Sequence, residues 1–263
     1  MRTFKGMVKN IIDSKELIWQ LFLRNFKSRY KQSFLGWAWI FLLPIVTMGT
    51  FLLLNMSGVI KIGDIPAPYP IYGLLGVSIW GIFSNGWLSL TDSITSAEQL
   101  VTKINFPKES LVISSYGHVV VDFLIRLLLV LIVFLVYGLR PSLLLSFFPI
   151  FILPLILLTL GLGFITSVLN VIVRDTKKII SVGMNFFLFL MPIMYTIPEK
   201  GLLSVVNKYN PIYFLINTPR DVIISGNINN PVGFVISAVF SLFIFFIGWY
   251  IFYISQFILG EKS

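Results

Sequence analysis

The chain has 263 residues, 57% of them hydrophobic and 12% charged, with a net charge of +9 and a mean hydropathy of +0.90. So little polar surface cannot cover a water-soluble domain, which excludes a soluble enzyme or regulatory module. Zero cysteines exclude disulfides, thiolate metal sites and cysteine nucleophiles.

In chain order, residues 14–31 read as a basic amphipathic helix. Ile18, Phe22, Phe26 and Tyr30 recur at i, i+4, while Glu16, Gln20, Arg24, Lys27 and Lys31 take the other side. Such a helix is expected in the plane of the membrane surface, apolar side down, its cations held by anionic head groups. It runs into the first of six predicted spans, 34–55, 71–90, 111–137, 143–173, 179–196 and 232–259. A crossing needs about 20 apolar residues. The third, fourth and sixth spans exceed that length, so they tilt, kink or project into water. The N-terminal region lacks a short apolar h-region with a cleavage site, so no signal peptide is expected.

The cations set the orientation. With the N-terminus inside, the inner segments carry eight Lys/Arg before the first span, two in 91–110, three in 174–178 and one at the C-terminus. The outer segments carry one, one and three. This is the positive-inside bias, and it places the protein in the cytoplasmic (inner) membrane, multi-pass, with both termini cytoplasmic. It also accounts for the +9 without nucleic acid, because no basic domain stands outside the membrane to receive a polymer.

Three connections interrupt the short loops. In 91–110, Thr95 and Glu98 have capping-box spacing, Leu100, Val101 and Ile104 form an apolar stripe, and Pro107 ends the helix. This segment is either a small cytoplasmic helix that docks in a partner's groove or a solvated turn. The turn Arg174-Asp175-Thr176-Lys177-Lys178 is compact and charged, as topology alone would produce. Segment 197–231 lies outside yet is apolar through Leu202, Leu203, Val205, Val206 and Ile212 to Ile216. It reads as two short helices, the second opening at Asn210-Pro211, folded back on the outer leaflet or the bundle. Pro192 is expected to kink the fifth span just before it.

Four motifs carry a family resemblance. They are Arg29-Tyr30-Lys31 with Ser33, Leu35-Gly36, Trp39 and Pro44; Lys103 with Asn105-Phe106-Pro107; Val173-Arg174-Asp175-Thr176; and Pro192-Ile193-Met194-Tyr195 with Tyr209-Asn210-Pro211 and Arg220. In this order and spacing the chain resembles permease subunits of type-2 ABC exporters of cell-surface polysaccharide, whose members export O-antigen, capsule or teichoic acid. The resemblance implies a homodimer of permease chains with two separate nucleotide-binding ATPase subunits, moving a lipid-linked polysaccharide across the membrane. ATP and Mg would then be bound by the partner, and no cofactor by this chain, which has no GxxxxGK[ST] phosphate loop. It also implies that the ATPase pushes on Thr95, Glu98, Leu100, Val101, Lys103, Ile104, Arg174 and Asp175.

The expected architecture is therefore all-α and integral to the membrane. One permease domain, 1–263, has six transmembrane helices, an interfacial N-terminal helix and an outer re-entrant hairpin at 197–231. Aromatic lines in three spans are candidates for the conduit: Phe34, Trp37 and Phe41; Trp80, Phe83 and Trp87; Phe186 and Phe187. Sugar rings pack C–H faces on aromatic rings without fixed register, much as bases stack on aromatic platforms; filling or facing lipid is the plainer use of the same rings. Asp122 and Arg126 are charges well inside a span, each costing roughly 2.5–3.5 kcal/mol at a helix centre. Their i, i+4 spacing lets them pair, with His118 one turn earlier. Catalysis has no visible machinery: no HExxH, GxSxG or paired carboxylates. A drug exporter of the same architecture and a secondary transporter remain as alternatives, although no internal repeat supports the latter.

Overall fold

A computed structural model gives the structure of the chain and describes residues 4–30, 36–60, 62–103, 106–197 and 201–261. Among them every regular element is a helix. The chain begins with α1 (Phe4–Asp13) and α2 (Lys15–Tyr30), so helix starts ten residues before the predicted amphipathic segment. The first predicted span is a 3₁₀ turn, Gly36–Ala38, followed by α3 (Trp39–Met56). Then come α4 (Tyr69–Asp92), a 3₁₀ turn at Thr95–Ala97, α5 (Glu98–Lys103) and α6 (Glu109–Val136). A 3₁₀ turn at Leu143–Phe147 leads to α7 (Phe148–Ile172) and α8 (Thr176–Leu190). The last helices are α9 (Leu202–Tyr209), α10 (Pro211–Ile224) and α11 (Pro231–Glu261).

Helix α4 is the axis. Its sequence is apolar or small all round, and a helix of that kind belongs inside a bundle. Every residue from Ile71 to Ser84 is buried, and α3, α6, α7, α8 and α10 pack against it. The largest helix contact is α7 on α11. There a Cβ added to Gly161 would lie 2.6 Å from the Ile244 carbonyl, and one on Gly248 would strike the Gly161 carbonyl. Small residues bring the two backbones together where lipid offers no hydrophobic drive for association. Helix α2 docks on α6. Leu21 is buried and the Phe22 ring fills the notch at Gly117, so the apolar side of α2 covers protein.

Among the described residues five helices are long and apolar enough to cross a membrane: Gly36–Met56, Tyr69–Asp92, Glu109–Val136, Leu143–Ile172 and Pro231–Ser255. The predicted fifth span, 179–196, is not a sixth such helix. Helix α8 stops at Leu190, and Met191 turns extended at φ −87°, ψ 135°. Proline disfavours helical backbone in the residue before it, so Pro192 ends the helix instead of kinking it. The stretch that follows is buried from Met191 to Tyr195 and is tied down from three sides. Arg220 Nη1 donates to the Ile193 carbonyl at 2.7 Å, Tyr72 Oη to the Tyr195 carbonyl at 3.3 Å, and Thr196 N to the Ile62 carbonyl at 2.9 Å. The last contact joins it to the loop between α3 and α4, at the end of the bundle away from α5.

The buried charges have a role that helical spacing does not reveal. Proline at position 44 has no N–H, so the Ile40 carbonyl four residues earlier loses its helical donor. Arg126 Nε supplies the missing hydrogen bond across the bundle, at 3.1 Å. Gly81 makes room: a Cβ there would lie 2.7 Å from Arg126 Nη1. Arg126 thus mends a break in α3, a role that the pairing with Asp122 read from i, i+4 spacing does not contain. Both residues are buried.

A double-mutant cycle tests this. Arg126→Met leaves the Ile40 carbonyl buried without a donor, at a cost of about 1–3 kcal/mol, and lowers the melting temperature of the detergent-purified protein. Pro44→Ala restores a helical N–H, so adding it to Arg126→Met raises the melting temperature again. Simple additivity of the two changes would contradict the repair.

Candidate functional site

At one end of the bundle α5 and the turn between α7 and α8 meet. Asn170, buried in the last turn of α7, joins them: its Nδ2 donates to Thr95 Oγ1 at 2.7 Å, and its Oδ1 accepts from the Lys177 N–H at 3.2 Å. Lys177 Nζ reaches Asp92 at the end of α4, at 2.7 Å, and Arg174 pairs with Glu98 at 3.4 Å. Both ion pairs are exposed or nearly so. Such pairs contribute little stability and set geometry more than energy.

This arrangement displaces the expected capping box. Thr95 lies in the 3₁₀ turn, its hydroxyl taken by Asn170 and directed at Asp92 (3.3 Å to the carbonyl), and no side chain caps the start of that turn. The apolar stripe also points inward: Val101 is buried and Leu100 packs against the same core. Ile104 lies outside the described residues. What α5 leaves at the surface is its polar side, Glu98 and Gln99, both exposed, beside exposed Arg174 and Asp175. Lys103 closes the helix.

A polar strip runs from this end into the bundle. Trp87 Nε1 donates to Thr166 Oγ1 at 3.0 Å, and Thr166 and Thr91 hydroxyls share a 2.6 Å bond. Thr166 and Asn170 are one turn apart on α7, so α4 and α7 are stitched by side chains from the bundle interior down to α5. Beside the strip a cavity of about 700 Å³ opens between α2, α4 and α6, lined by Arg24, Asn85, Ser89, Asp92, His118 and Lys177 among others. His118 therefore faces a polar cavity. Sequence reasoning missed Asn170 and Asp92; the available signal was a lone amide in the final turn of an apolar span, with a carboxylate closing another.

The aromatic lines separate into two groups. Trp80, Phe83 and Trp87 form a ladder with centroids 5.6 Å apart at each step. Phe83 is fully buried and Trp80 is 5% exposed. Trp80 and Phe83 pack the core and offer no face to a passing chain, which corrects their place among conduit residues, while Trp87 is half-buried. Trp37, Phe186 and Phe187 are exposed, at 48%, 66% and 41%, and Phe41 is half-buried. Trp37 also meets Phe26 of α2 edge-on, at 5.2 Å. Phe34 lies outside the described residues.

Known proteins share this design. The chain is 29% identical, over 81% of its length and 82% of the relative's, to an O-antigen export system permease protein RfbA of Myxococcus xanthus. Two proteins of that name from Klebsiella pneumoniae are 26% and 27% identical, over 78% of this chain and 79% of each relative. Residues 16–224, from α2 through the end of α10, match the family model of the ABC-2 type transporter, and the chain belongs to that family.

Proposed function

We propose that the chain is the membrane subunit of an ATP-driven exporter that carries a lipid-linked polysaccharide across the cytoplasmic membrane. The observation that carries this reading is the joint at the α5 end, where Asn170 binds α5 to the α7–α8 turn in a chain of the ABC-2 family. The name borne by the three relatives, O-antigen export permease, favours a polysaccharide over a drug as cargo.

In this reading the α5 end and both termini are cytoplasmic, and two copies of the chain assemble with two ATPase subunits, which bind the ATP and Mg. A subunit that pushes on Glu98 and Gln99 moves α4 and α7 together, because the Asn170 and Thr166 hydrogen bonds make the two helices one lever. A sixth crossing is completed by α8 and the non-helical 191–196 stretch, whose backbone is buried in protein, a setting where such chain is tolerated at membrane depth. The 700 Å³ polar cavity receives the hydrated part of the cargo on the loading side. The exposed rings of Trp37, Phe186 and Phe187 face the conduit between the two copies.

Two experiments test the reading. Glu98→Arg sets a cation against Arg174 at the exposed joint without touching the core. Surface polymer, measured by carbohydrate staining, is expected to fall while the subunit still accumulates in the membrane, and Arg174→Glu in the same chain should restore it. Unchanged export in the single variant would remove the joint from the power stroke. The second compares rings. Trp37→Leu with Phe186→Leu keeps apolar bulk, so export should fall at normal melting temperature and normal ATP hydrolysis. Trp80→Leu should instead lower the melting temperature, because that ring is core. The reverse pattern would exchange the two roles.

A further inference from the structure

At the end of the bundle away from α5, a second cavity of about 440 Å³ lies between the 62–68 loop, the non-helical 191–197 stretch and α10. Its floor is Arg220, 2% exposed, with the guanidinium 3.8 Å above the centre of the Tyr72 ring. The two terminal nitrogens are already engaged, Nη1 with the Ile193 carbonyl and Nη2 with the Asn217 side-chain oxygen. The positive charge is therefore held inside the protein and is not presented to a ligand.

The walls and rim have a different chemistry. Tyr72 and Tyr195, 3% and 4% exposed, spend their hydroxyls on the backbone carbonyls of Tyr195 and Phe189 and close the inner wall without an open ring face. Tyr213 adds a third ring. At the rim stand the carboxylates of Asp64 and Asp221, and Asn229 Nδ2 donates to Asp221 Oδ2 at 2.7 Å. Burial raises the Asp221 carboxyl above the ordinary carboxylate range, against the pull of Arg220 and of the Asn229 hydrogen bond.

A ring that takes an apolar C–H face, beside carboxylate and amide groups that take hydroxyls, suits a pyranose. Two lining carboxylates over a buried arginine whose terminal nitrogens are both engaged repel phosphate or another anion. The volume is within the range of small-molecule pockets, roughly 300–1,000 Å³. We infer that this outer cavity binds a neutral saccharide unit of the exported polymer, with the half-buried Tyr213 ring against a C–H face and Asp64, Asp221 and Asn229 on its hydroxyls. The inference rests on the polysaccharide reading above and adds a place where the emerging chain is held at the far side.

The test uses the permease with its ATPase subunits in lipid nanodiscs. The probe is short oligosaccharides cut by mild hydrolysis from the polymer recovered at the surface of cells carrying the transporter. Saturation-transfer NMR should show saturable binding to the wild-type complex. Asp64→Asn with Asp221→Asn should weaken it about tenfold with the melting temperature unchanged. Pro66→Trp, a substitution at the exposed rim that leaves every polar group in place, should weaken it by obstruction and covers the case in which the double variant misfolds. Glycerol phosphate should not compete. Equal binding in wild type and both variants, or competition by glycerol phosphate, overturns the inference, as does absence of binding in a complex whose cells display the polymer. Cells that display the same polymer after deletion of the permease would overturn the polysaccharide reading itself, a result separable from the others.

Discussion

Two buried arginines hold this bundle together by the same device. In an apolar surround a backbone carbonyl without a donor costs several kcal/mol, and two prolines create that problem: Pro44 by removing an N–H inside α3, Pro192 by ending α8 deep in the protein. Arg126 reaches the Ile40 carbonyl and Arg220 the Ile193 carbonyl. Both are admitted by glycines of α4. A Cβ on Gly81 would lie 2.7 Å from Arg126, and one on Gly76 would lie 2.5 Å from the Ile193 carbonyl and 3.3 Å from Arg220. Helix α4 is therefore more than an apolar axis. Its small residues are the gaps through which two neighbouring elements are repaired, and the positions of α3 and of the 191–196 stretch depend on it.

That dependence explains what the sequence could and could not show. Length and hydropathy marked the long helices α3, α4, α6, α7 and α11, because each apolar run is bounded by polar or turn residues. The start of α10 was legible at Asn210-Pro211, where the Asn210 side chain accepts from the Ile212 N–H at 3.0 Å. The partners of Arg126 and Arg220 were not legible, since they are backbone atoms 86 and 27 residues away in sequence. Helical spacing suggested Asp122 for Arg126 but could not show the carbonyl of another helix that Arg126 also serves. The capping box failed for the same reason, because Asn170 competes for the Thr95 hydroxyl and wins. Aromatic periodicity located Trp80, Phe83 and Trp87 on one helix but could not tell a conduit from a core, as both favour large apolar rings at these spacings.

Functionally, the two ends of the bundle are built in opposite ways. At the α5 end the contacts are charged, exposed and hydrogen-bonded through a single buried amide, which suits a surface that is pushed and released. At the other end a buried cation, a stacked ring and three backbone hydrogen bonds fix the 191–196 stretch, which suits a wall that must stay in register. Between them, the Trp87, Thr91, Thr166 and Asn170 bonds make α4 and α7 move as one. On the proposed reading, force applied at Glu98 arrives at the same helix whose glycines seat Arg126 and Arg220. This continuity of packed elements is the physical content of coupling in the chain, and it is available to test by population or rate.

The most direct measurement of the central claim is the location of the polymer when the permease is depleted from living cells. Surface polysaccharide and cytoplasmic lipid-linked polysaccharide are quantified separately at intervals after expression is shut off. The account predicts that surface polymer declines while lipid-linked polymer accumulates inside, with synthesis continuing. Continued delivery to the surface at the original rate, with no internal accumulation, would contradict it.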